Sequence, residues 1–302
     1  MTWTPKSLLE WSEGYFAGKG IESARFDAER LLAHALGCAR IDLYLQFDKP
    51  LAEPELARFR ELVRRRAERE PVPYLTGEVG FWNLSLAIRP GCLIPRPDTE
   101  TLVEAVLAAV AERAPGAAGS AAPPAPLRIV ELGTGSAAIP LAVCSEAHGI
   151  SWIALERSAE ALAVAAENRR AHAALLEPRQ NRLHLVRGGA LEALAPAFRP
   201  DLVVSNPPYI PSASIDALEP EVARFEPHAA LDGGPDGMDG HRGLVAFAAA
   251  RLAPGGALLL EIGFDQEDAV RALIAAHAPL RMREVRRDLG GRPRVVWALR
   301  DG

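Results

Sequence analysis

The sequence predicts an α/β protein in which a helical region precedes a mostly parallel sheet. Apolar residues recur at helical spacing from about Ser7 to Glu70 with no strand pattern between them. From Leu127 onward, short β runs alternate with helical segments, as βαβ units require. The 302 residues, 49% of them hydrophobic, suffice for one large domain and a smaller one.

Hydrophobic periodicity and composition along the chain predict the domain boundaries. We expect a helical domain over residues 1–75, in which Gly37 ends a helix, a β-hairpin connector over 76–97, and the large domain over 98–302. The large domain begins with a helix from Asp98 to about Arg113, and the Ala-, Gly- and Pro-rich stretch 114–126 predicts a mobile loop. The strand candidates are Leu127–Leu132, Ser151–Glu156, Arg182–Arg187, Asp201–Ser205, Ala257–Ile262, Arg281–Arg287 and Arg294–Leu299.

Composition narrows the class of protein. A net charge of -5 and a pI near 5.9 argue against affinity gained mainly by neutralising nucleic-acid phosphates. The cysteines Cys38, Cys92 and Cys144 are odd in number and widely separated, which favours a reducing, cytoplasmic compartment. No apolar run of signal-peptide or membrane-spanning length is present, and the histidines form no metal-binding pattern.

A glycine-containing turn follows the first strand candidate of the large domain. Gly133-Thr134-Gly135 leads from a buried strand into a helix, a geometry that lets a nucleotide-type ligand approach the backbone. Glu156 ends the next strand at close to the roughly 20-residue spacing at which an acid binds ribose hydroxyls. The alternatives are a tight strand-to-helix turn and a solvated strand-end acid. Because position 138 is Ala, a dinucleotide is the poorer match.

The tetrapeptide Asn206-Pro207-Pro208-Tyr209 stops a β run at the edge where open α/β sheets bind ligands. The prolines fix the backbone and remove two N–H donors, so the Asn206 side chain and the carbonyls remain as acceptors beside the Tyr209 ring. These groups suit a planar amide or amino nitrogen that accepts a methyl group. The alternative is a proline-terminated strand with a structural Asn at a turn.

Asn-Pro-Pro-Tyr after such a strand resembles the amino-methyltransferases, which include DNA adenine methyltransferases and the HemK/PrmC family of release factor glutamine N5-methyltransferases. Further segments are similar to the latter family over almost the whole chain. They are Asp27–Leu32, Pro73–Gly77, Phe81-Trp82, Leu93–Glu100, Arg224–Pro227 and Ala230–Gly237.

The resemblance implies a Rossmann-like, seven-stranded, S-adenosylmethionine-dependent methyltransferase domain behind a small helical domain that docks the substrate. The implied partner is a class 1 peptide chain release factor, whose Gly-Gly-Gln glutamine receives the methyl group. We expect a monomer with no direct nucleic-acid binding, no membrane association and no metal. By position, the implied cofactor residues are Gly133, Thr134, Gly135, Ser136, Ala137, Glu156 and Asn206. Those for the glutamine amide are Asn206, Pro207, Pro208 and Tyr209, with Asn206, Pro207 and Tyr209 as the catalytic group and Arg96 and Phe225 shaping the pocket.

Two departures from the family pattern bear on the cofactor. Ala137 stands where the family usually has a further glycine, and its methyl either crowds the cofactor or favours the helix. The stretch Gly188-Gly189-Ala190-Leu191 stands where the family commonly has an acid that contacts adenine. The sequence therefore predicts weakened cofactor affinity.

Other patterns favour ordinary surface structure. The arginines between Arg58 and Arg69 alternate with glutamates, which predicts a solvated helix face, and Gly233–Gly237 predicts a surface turn. Two other functions stay open: a nucleic-acid adenine or cytosine amino-methyltransferase, and a release-factor-binding module without cofactor affinity.

Overall fold

The computed structural model describes residues 3–113, 125–189 and 194–302. The chain divides into two compact units. The helical unit contains the chain up to Glu78 together with Leu218–Phe225, and the sheet unit contains Val79–Ala217 and Glu226–Gly302. The predicted loop over 114–126 lies almost entirely outside the described residues. No helix in the described ranges is long and apolar enough to cross a membrane.

The described helices and strands alternate as expected after residue 126. The helices are α1 (Pro5–Ala17), α2 (Ala24–Leu36), α3 (Arg40–Leu45), α4 (Glu53–Ala67), α5 (Val72–Thr76), α6 (Glu100–Arg113), α7 (Ala138–Glu146), α8 (Ala159–Ala171), α9 (Ala173–Leu176), α10 (Pro220–Phe225), α11 (Asp239–Arg251) and α12 (Glu267–Ala275). The strands are β1 (Glu78–Phe81), β2 (Leu84–Ala87), β3 (Leu127–Leu132), β4 (Ile150–Glu156), β5 (Arg182–Arg187), β6 (Leu202–Ser205), β7 (Ala257–Glu261), β8 (Leu280–Arg287) and β9 (Pro293–Arg300).

The helical unit is built on α2, whose apolar face is buried against α1, α3, α4 and α5. Leu31 and Leu32 are fully buried, and Phe59 of α4 joins the same core. Gly37 ends α2 in the left-handed conformation, with φ of 66° that an L side chain rarely adopts. The predicted strand-free helical region and the helix stop at Gly37 are therefore confirmed.

A buried ion-pair network ties α10 to this core. The Arg66 side chain, only 6% exposed, lies 2.8 Å from Asp27 Oδ2 and 2.8 Å from Glu221 Oε1. Arg69 lies 2.7 Å from Glu221 Oε2. The prediction of a solvated face is therefore wrong for Arg66. The chain holds a carboxylate from α2 and another from α10 around this one guanidinium, because a buried charge needs charged partners.

The sheet unit contains a seven-stranded sheet in the order β5-β4-β3-β6-β7-β9-β8. The neighbours from β5 to β7 are parallel, and β9 pairs antiparallel with both β7 and β8. All seven strand predictions and the seven-stranded sheet are confirmed. Strand order reverses between β3 and β6, so their carboxyl ends border the crevice in which open α/β sheets bind ligands.

The segment before α6 forms the predicted hairpin. β1 and β2 make a separate two-stranded sheet, and the turn between them contains Trp82 with φ of 55°. A 3-10 turn at Pro97–Thr99 precedes α6, so that helix begins two residues after the predicted start. The domain boundaries at 75 and 97 stay a prediction.

We expect Arg66→Met to destabilise the helical unit by about 3 kcal/mol, because it leaves the Asp27 carboxylate buried without its cation. Arg64 lies on the same helix, pairs with Glu61 and Glu68 and is 58% exposed, so Arg64→Met is the matched control. Chemical denaturation should show a lower midpoint for Arg66→Met and little change for the control. Equal midpoints for the two variants would contradict the proposed contribution of the buried ion pairs to stability.

Candidate active site

A cavity of about 580 Å³ opens at the carboxyl ends of β3, β4 and β6. This volume falls in the range of about 300–1,000 Å³ that small-molecule sites occupy. The cavity brings together most of the residues predicted from sequence: Arg96, Gly133, Thr134, Gly135, Ser136, Glu156, Asn206, Pro207 and Pro208. Ala137 and Tyr209 are not among its lining residues, and Phe225 belongs to the helical unit.

The glycine turn between β3 and α7 forms one wall of the cavity. Gly133 and Gly135 have φ of 75° and 57°, and a Cβ built on either would meet no atom within 4 Å. The turn therefore offers bare backbone to a ligand. Asn168 of α8 fixes its far end by donating from Nδ2 to the Ser136 carbonyl at 2.9 Å. Asn168 was not identified from sequence, since a single Asn in a helix carries no distinctive pattern.

Ala137 adopts a backbone conformation that favours glycine. It is fully buried, with φ of 64° in the left-handed region, immediately before α7. The methyl group is not on the cavity wall, so the expectation that it crowds the ligand has no support in this geometry. A left-handed Ala costs about 1–2 kcal/mol, which is the physical reason for a glycine at this position.

Glu156 ends β4 and holds the glycine turn. Its Oε2 accepts from the Gly135 N–H at 2.9 Å, and its Oε1 accepts from the Ser158 N–H at 2.9 Å. The side chain lines the cavity although the residue is only 8% exposed. Each oxygen keeps a further lone pair, so the carboxylate can accept hydroxyl protons from a ligand.

Beneath the turn lies a buried carboxyl group that sequence reasoning did not single out. Glu131 of β3 is fully buried and accepts from Trp152 Nε1 at 3.2 Å. Burial raises the pKa of Glu131 from its ordinary value of 4.5 to about 8. Above it, the buried Thr134 hydroxyl has no hydrogen bond of ordinary geometry within the described residues. The sequence feature that could have identified Glu131 is an acidic residue inside an otherwise apolar β run.

The Asn206–Tyr209 segment contributes another wall of the cavity, besides the glycine turn. Asn206 Nδ2 donates to the Thr99 hydroxyl at 3.2 Å, so the amide nitrogen has a partner within the protein. With Nδ2 committed to Thr99, Oδ1 remains as the free acceptor of this cavity-lining side chain. Pro207 is buried, and Pro208 also lines the cavity.

Three glycines allow a second segment to pack directly on the prolines. A Cβ at Gly233 would lie 2.8 Å from the Pro208 carbonyl oxygen, and one at Gly240 would lie 2.8 Å from Pro207 Cβ. A Cβ at Gly237 would overlap the Tyr209 carbonyl oxygen. The prediction of a surface turn is therefore wrong for buried Gly233 and Gly237, because they form the support of the Asn206–Tyr209 segment.

Tyr209 is not among the residues that line the cavity. Its hydroxyl donates to Oε1 of the buried Glu261 at 3.4 Å, and burial raises its pKa. Burial also raises the pKa of Glu261 from 4.5 to about 7. The catalytic role of Tyr209 stays a prediction, and Glu261 is a further group that the sequence did not reveal.

Arg96 is held in place by a buried acid. Glu226 pairs with the Arg96 guanidinium and also accepts from the Ile94 N–H at 3.1 Å. Because the Glu226 side chain is only 1% exposed, the ion pair fixes the direction in which Arg96 enters the cavity. Glu226 lies in a segment already noticed for its family resemblance, but its pairing with Arg96 has no sequence signal.

Gly188 and Gly189 lie at the other end of the cavity and supply no side chain there. Arg157 is the neighbouring charged residue, and its guanidinium donates to the Ala229 carbonyl oxygen at 2.5 Å. Ala190 and Leu191 lie outside the described residues. The predicted loss of an acidic partner holds for the two described glycines, and weakened cofactor affinity stays a prediction.

The donor set fits the implied cofactor. An open glycine cradle and a strand-end carboxylate with free lone pairs lie at a cavity of suitable volume. These are the features by which an α/β crevice holds a nucleoside. Within the described ranges, no group of three or more His, Cys, Asp or Glu side chains is placed to hold a metal ion.

Known proteins are similar to this chain over nearly its whole length. Residues 7–77 match the family described as the PrmC N-terminal domain. A release factor glutamine methyltransferase from Geobacter sulfurreducens is 42% identical over 273 residues, which cover 90% of this chain and 89% of that protein. Another, from Nitratidesulfovibrio vulgaris, is 37% identical over 99% of this chain and 96% of that protein.

A solved structure is also similar to this chain. It is the protein-(glutamine-N5) methyltransferase (release factor-specific) from Alicyclobacillus acidocaldarius, which is 27% identical and aligns with a TM-score of 0.41. The alignment covers 72% of this chain and 100% of that one. The assignment to a family rests on the sequence relatives.

We expect Gly237→Ala to destabilise the protein by about 2 kcal/mol, because φ of 74° and the Tyr209 carbonyl both exclude a methyl group. The matched control is Gly243→Ala in α11, where a Cβ would meet nothing within 4 Å and should stabilise by about 0.5–1 kcal/mol. Thermal unfolding measures both, and a Gly237→Ala protein as stable as the wild type would refute the tight packing.

Glu131 should make stability depend on pH. Its folded pKa of about 8 lies above the ordinary 4.5, so between these values the folded state keeps a proton that the unfolded chain has lost. The free energy of unfolding should therefore fall as pH rises through this window. We expect Glu131→Gln to reduce the difference in free energy of unfolding between pH 5 and pH 8, measured by urea denaturation. Glu104 is exposed, so the control variant Glu104→Gln should keep the wild-type difference in free energy of unfolding between the two pH values. If Glu131→Gln also kept this difference, Glu131 would not hold a proton in the folded state.

Proposed function

Because the chain belongs to the release factor glutamine methyltransferase family, we propose that it transfers a methyl group from S-adenosylmethionine to a glutamine side-chain amide nitrogen (N5). The glutamine is that of the Gly-Gly-Gln motif in class 1 peptide chain release factors. The observation that carries the proposal is the position of Asn206. Asn206, whose Nδ2 donates to Thr99, lines the same cavity as the glycine turn and Glu156, and its Oδ1 remains free to accept.

The chemistry of an amide explains the residues opposite the glycine turn. An amide nitrogen is a poor nucleophile because its lone pair is delocalised into the carbonyl group. A site can help by accepting its N–H protons and by holding the nitrogen in line with the methyl donor. Asn206 Oδ1 can accept one N–H, and the backbone carbonyls around Pro207 and Pro208 offer further acceptors, since neither proline has a competing N–H.

The residues that would hold the cofactor are the glycine turn and Glu156. Gly133–Ser136 would bind its methionine part, and the Glu156 carboxylate would accept the ribose hydroxyl protons. Bound there, S-adenosylmethionine would supply a methyl group carried on a sulfonium; the amide nitrogen would gain this methyl as the carbon–sulfur bond broke, and one amide proton would pass to solvent.

Arg96 supports recognition from the side of α6. The Glu226 carboxylate neutralises its charge and fixes its direction, so the guanidinium keeps free donors for carbonyl oxygens of the substrate backbone. We propose that Arg96 binds the chain on either side of the glutamine. Tyr209 is proposed to limit the pocket from a position outside the cavity lining, and a substrate contact by Phe225 stays a prediction from the family resemblance.

The helical unit is proposed as the docking site for the release factor. Large apolar side chains are exposed on its first three helices, which is the usual mark of a protein-binding surface. These are Trp11, Tyr15, Phe26, Ile41, Tyr44 and Leu45. The acidic pI supports a protein partner over nucleic acid, and we propose a monomer that acts in the cytoplasm.

The test is transfer of labelled methyl from S-adenosylmethionine to purified release factor, beside a factor with Gly-Gly-Ala in place of Gly-Gly-Gln and beside duplex and single-stranded DNA. We expect label on the intact factor alone. Asn206→Ala should lower kcat by about 100-fold, because it removes the acceptor for the amide proton. Asn83→Ala is the control, since Asn83 lies in the β1–β2 hairpin and is not among the cavity-lining residues.

The outcomes separate the competing functions. Label on DNA would show a nucleic-acid methyltransferase, and no label on any protein would overturn the proposal. If the chain only bound release factors, Asn206→Ala would leave its biological activity untouched. Loss of activity in Asn206→Ala with a normal Asn83→Ala variant therefore supports the enzyme.

A further inference from the structure

A chain of three polar side chains leads from the cavity into the protein. Asn206 Nδ2 donates to Thr99 Oγ1 at 3.2 Å, and Thr99 lies beside the carboxylate of Glu261. Thr99 is 4% exposed and Glu261 is 1% exposed. Of these residues only Thr99 and Asn206 line the cavity, so Glu261 lies behind them.

Hydrogen-bond arithmetic explains why Asn206 needs both neighbours. A threonine hydroxyl has one proton and two lone pairs, so alone it could bind either end of the Asn206 amide. An ionised carboxylate accepts only, and Glu261 Oε1 already accepts from Tyr209. Glu261 Oε2 has no hydrogen bond of ordinary geometry within the described residues, which leaves it to take the Thr99 proton. Thr99 can then only accept from Asn206.

We propose that Thr99 and Glu261 are positioning residues that hold the Asn206 amide with Oδ1 toward the substrate glutamine. The inference rests on the proposed function and deepens it. A flipped amide would present Nδ2 to the substrate amide, and two N–H groups would then face each other. The hydrogen-bonded relay of Glu261, Thr99 and Asn206 therefore presents an acceptor to the nitrogen that is to be methylated.

The ionisation of Glu261 controls this relay. Its carboxylate faces the Tyr209 hydroxyl, the Thr99 hydroxyl, Asp98 and Arg294. Burial opposes its charge most strongly, and Arg294 helps only in part because this guanidinium already lies 2.8 Å from Asp98 and 3.0 Å from Asp288. His241 of α11 contacts the backbone of Glu261 instead: its Nε2 lies 2.9 Å from the Glu261 carbonyl oxygen, and burial lowers the pKa of its ring.

A pH dependence follows, with a defined sign. The pKa of Glu261 is raised to about 7, so below this pH the carboxyl carries a proton that it can donate to Thr99. Thr99 is then free to donate to Asn206 Oδ1, and the amide can flip. Since activity needs the ionised form, kcat should fall about tenfold per pH unit below that pKa and reach a plateau above it.

The experiment compares Thr99→Val with Thr99→Ser in single-turnover methyl transfer to release factor. Valine keeps the shape and loses the hydroxyl, whereas serine keeps the hydroxyl. We expect a loss of about 100-fold in the rate for Thr99→Val and a rate within about threefold of wild type for Thr99→Ser. Cofactor dissociation constants, measured by calorimetry, should be equal in both, since the change concerns the substrate amide alone.

Glu261→Gln and the wild-type pH profile give an independent measurement. The oxygen of the introduced amide would accept from Tyr209, so its NH₂ group would face Thr99 and favour the flipped Asn206. We therefore expect a low rate that no longer rises between pH 6 and pH 8.5. The wild-type profile needs no variant, so it decides the question even if a variant fails to fold.

Three results would overturn the inference while leaving the proposed function intact. They are a Thr99→Val rate within threefold of wild type, equal losses in Thr99→Val and Thr99→Ser, and a flat wild-type profile from pH 6 to 8.5. A wild-type enzyme that does not label the release factor would instead overturn the proposed function, and this inference with it.

Discussion

The close packing of the Asn206–Tyr209 segment on Gly233, Gly237 and Gly240 determines the geometry of the whole cavity. Two prolines remove the N–H groups by which this segment could join a sheet, so contacts of backbone on backbone must hold it instead. Only residues without Cβ permit such an approach. The same packing supports the positions at which Asn206 meets Thr99 and Tyr209 meets Glu261.

Carboxyl groups on three strands organise the site in different ways. Glu156 receives two backbone N–H groups and holds the glycine turn. Glu131 and Glu261 are almost completely buried, which raises the pKa of each.

The sequence predicts the elements better than their contacts. Strand and helix patterns are local, so all seven strands and the stop at Gly37 follow from periodicity. The cavity walls at Gly133–Ser136, Glu156 and Asn206 follow from motifs at strand ends. The partners that orient them do not, since Thr99, Glu226 and Glu261 are far from their contacts along the chain. Arg66 was misassigned for the same reason, because its buried partner Glu221 lies 155 positions away in sequence.

The assignment of Leu218–Phe225 to the helical unit bears on how the chain folds during synthesis. The ribosome completes residues 1–78 long before it reaches α10, so Arg66 and Arg69 emerge without the Glu221 carboxylate that later joins them. Until then, the nascent helices lack one anion of their buried network, and their final stability comes only after β6 has been made. A fragment that ends at Glu78 is thus an incomplete domain, and dividing the gene there would separate one folding unit into two.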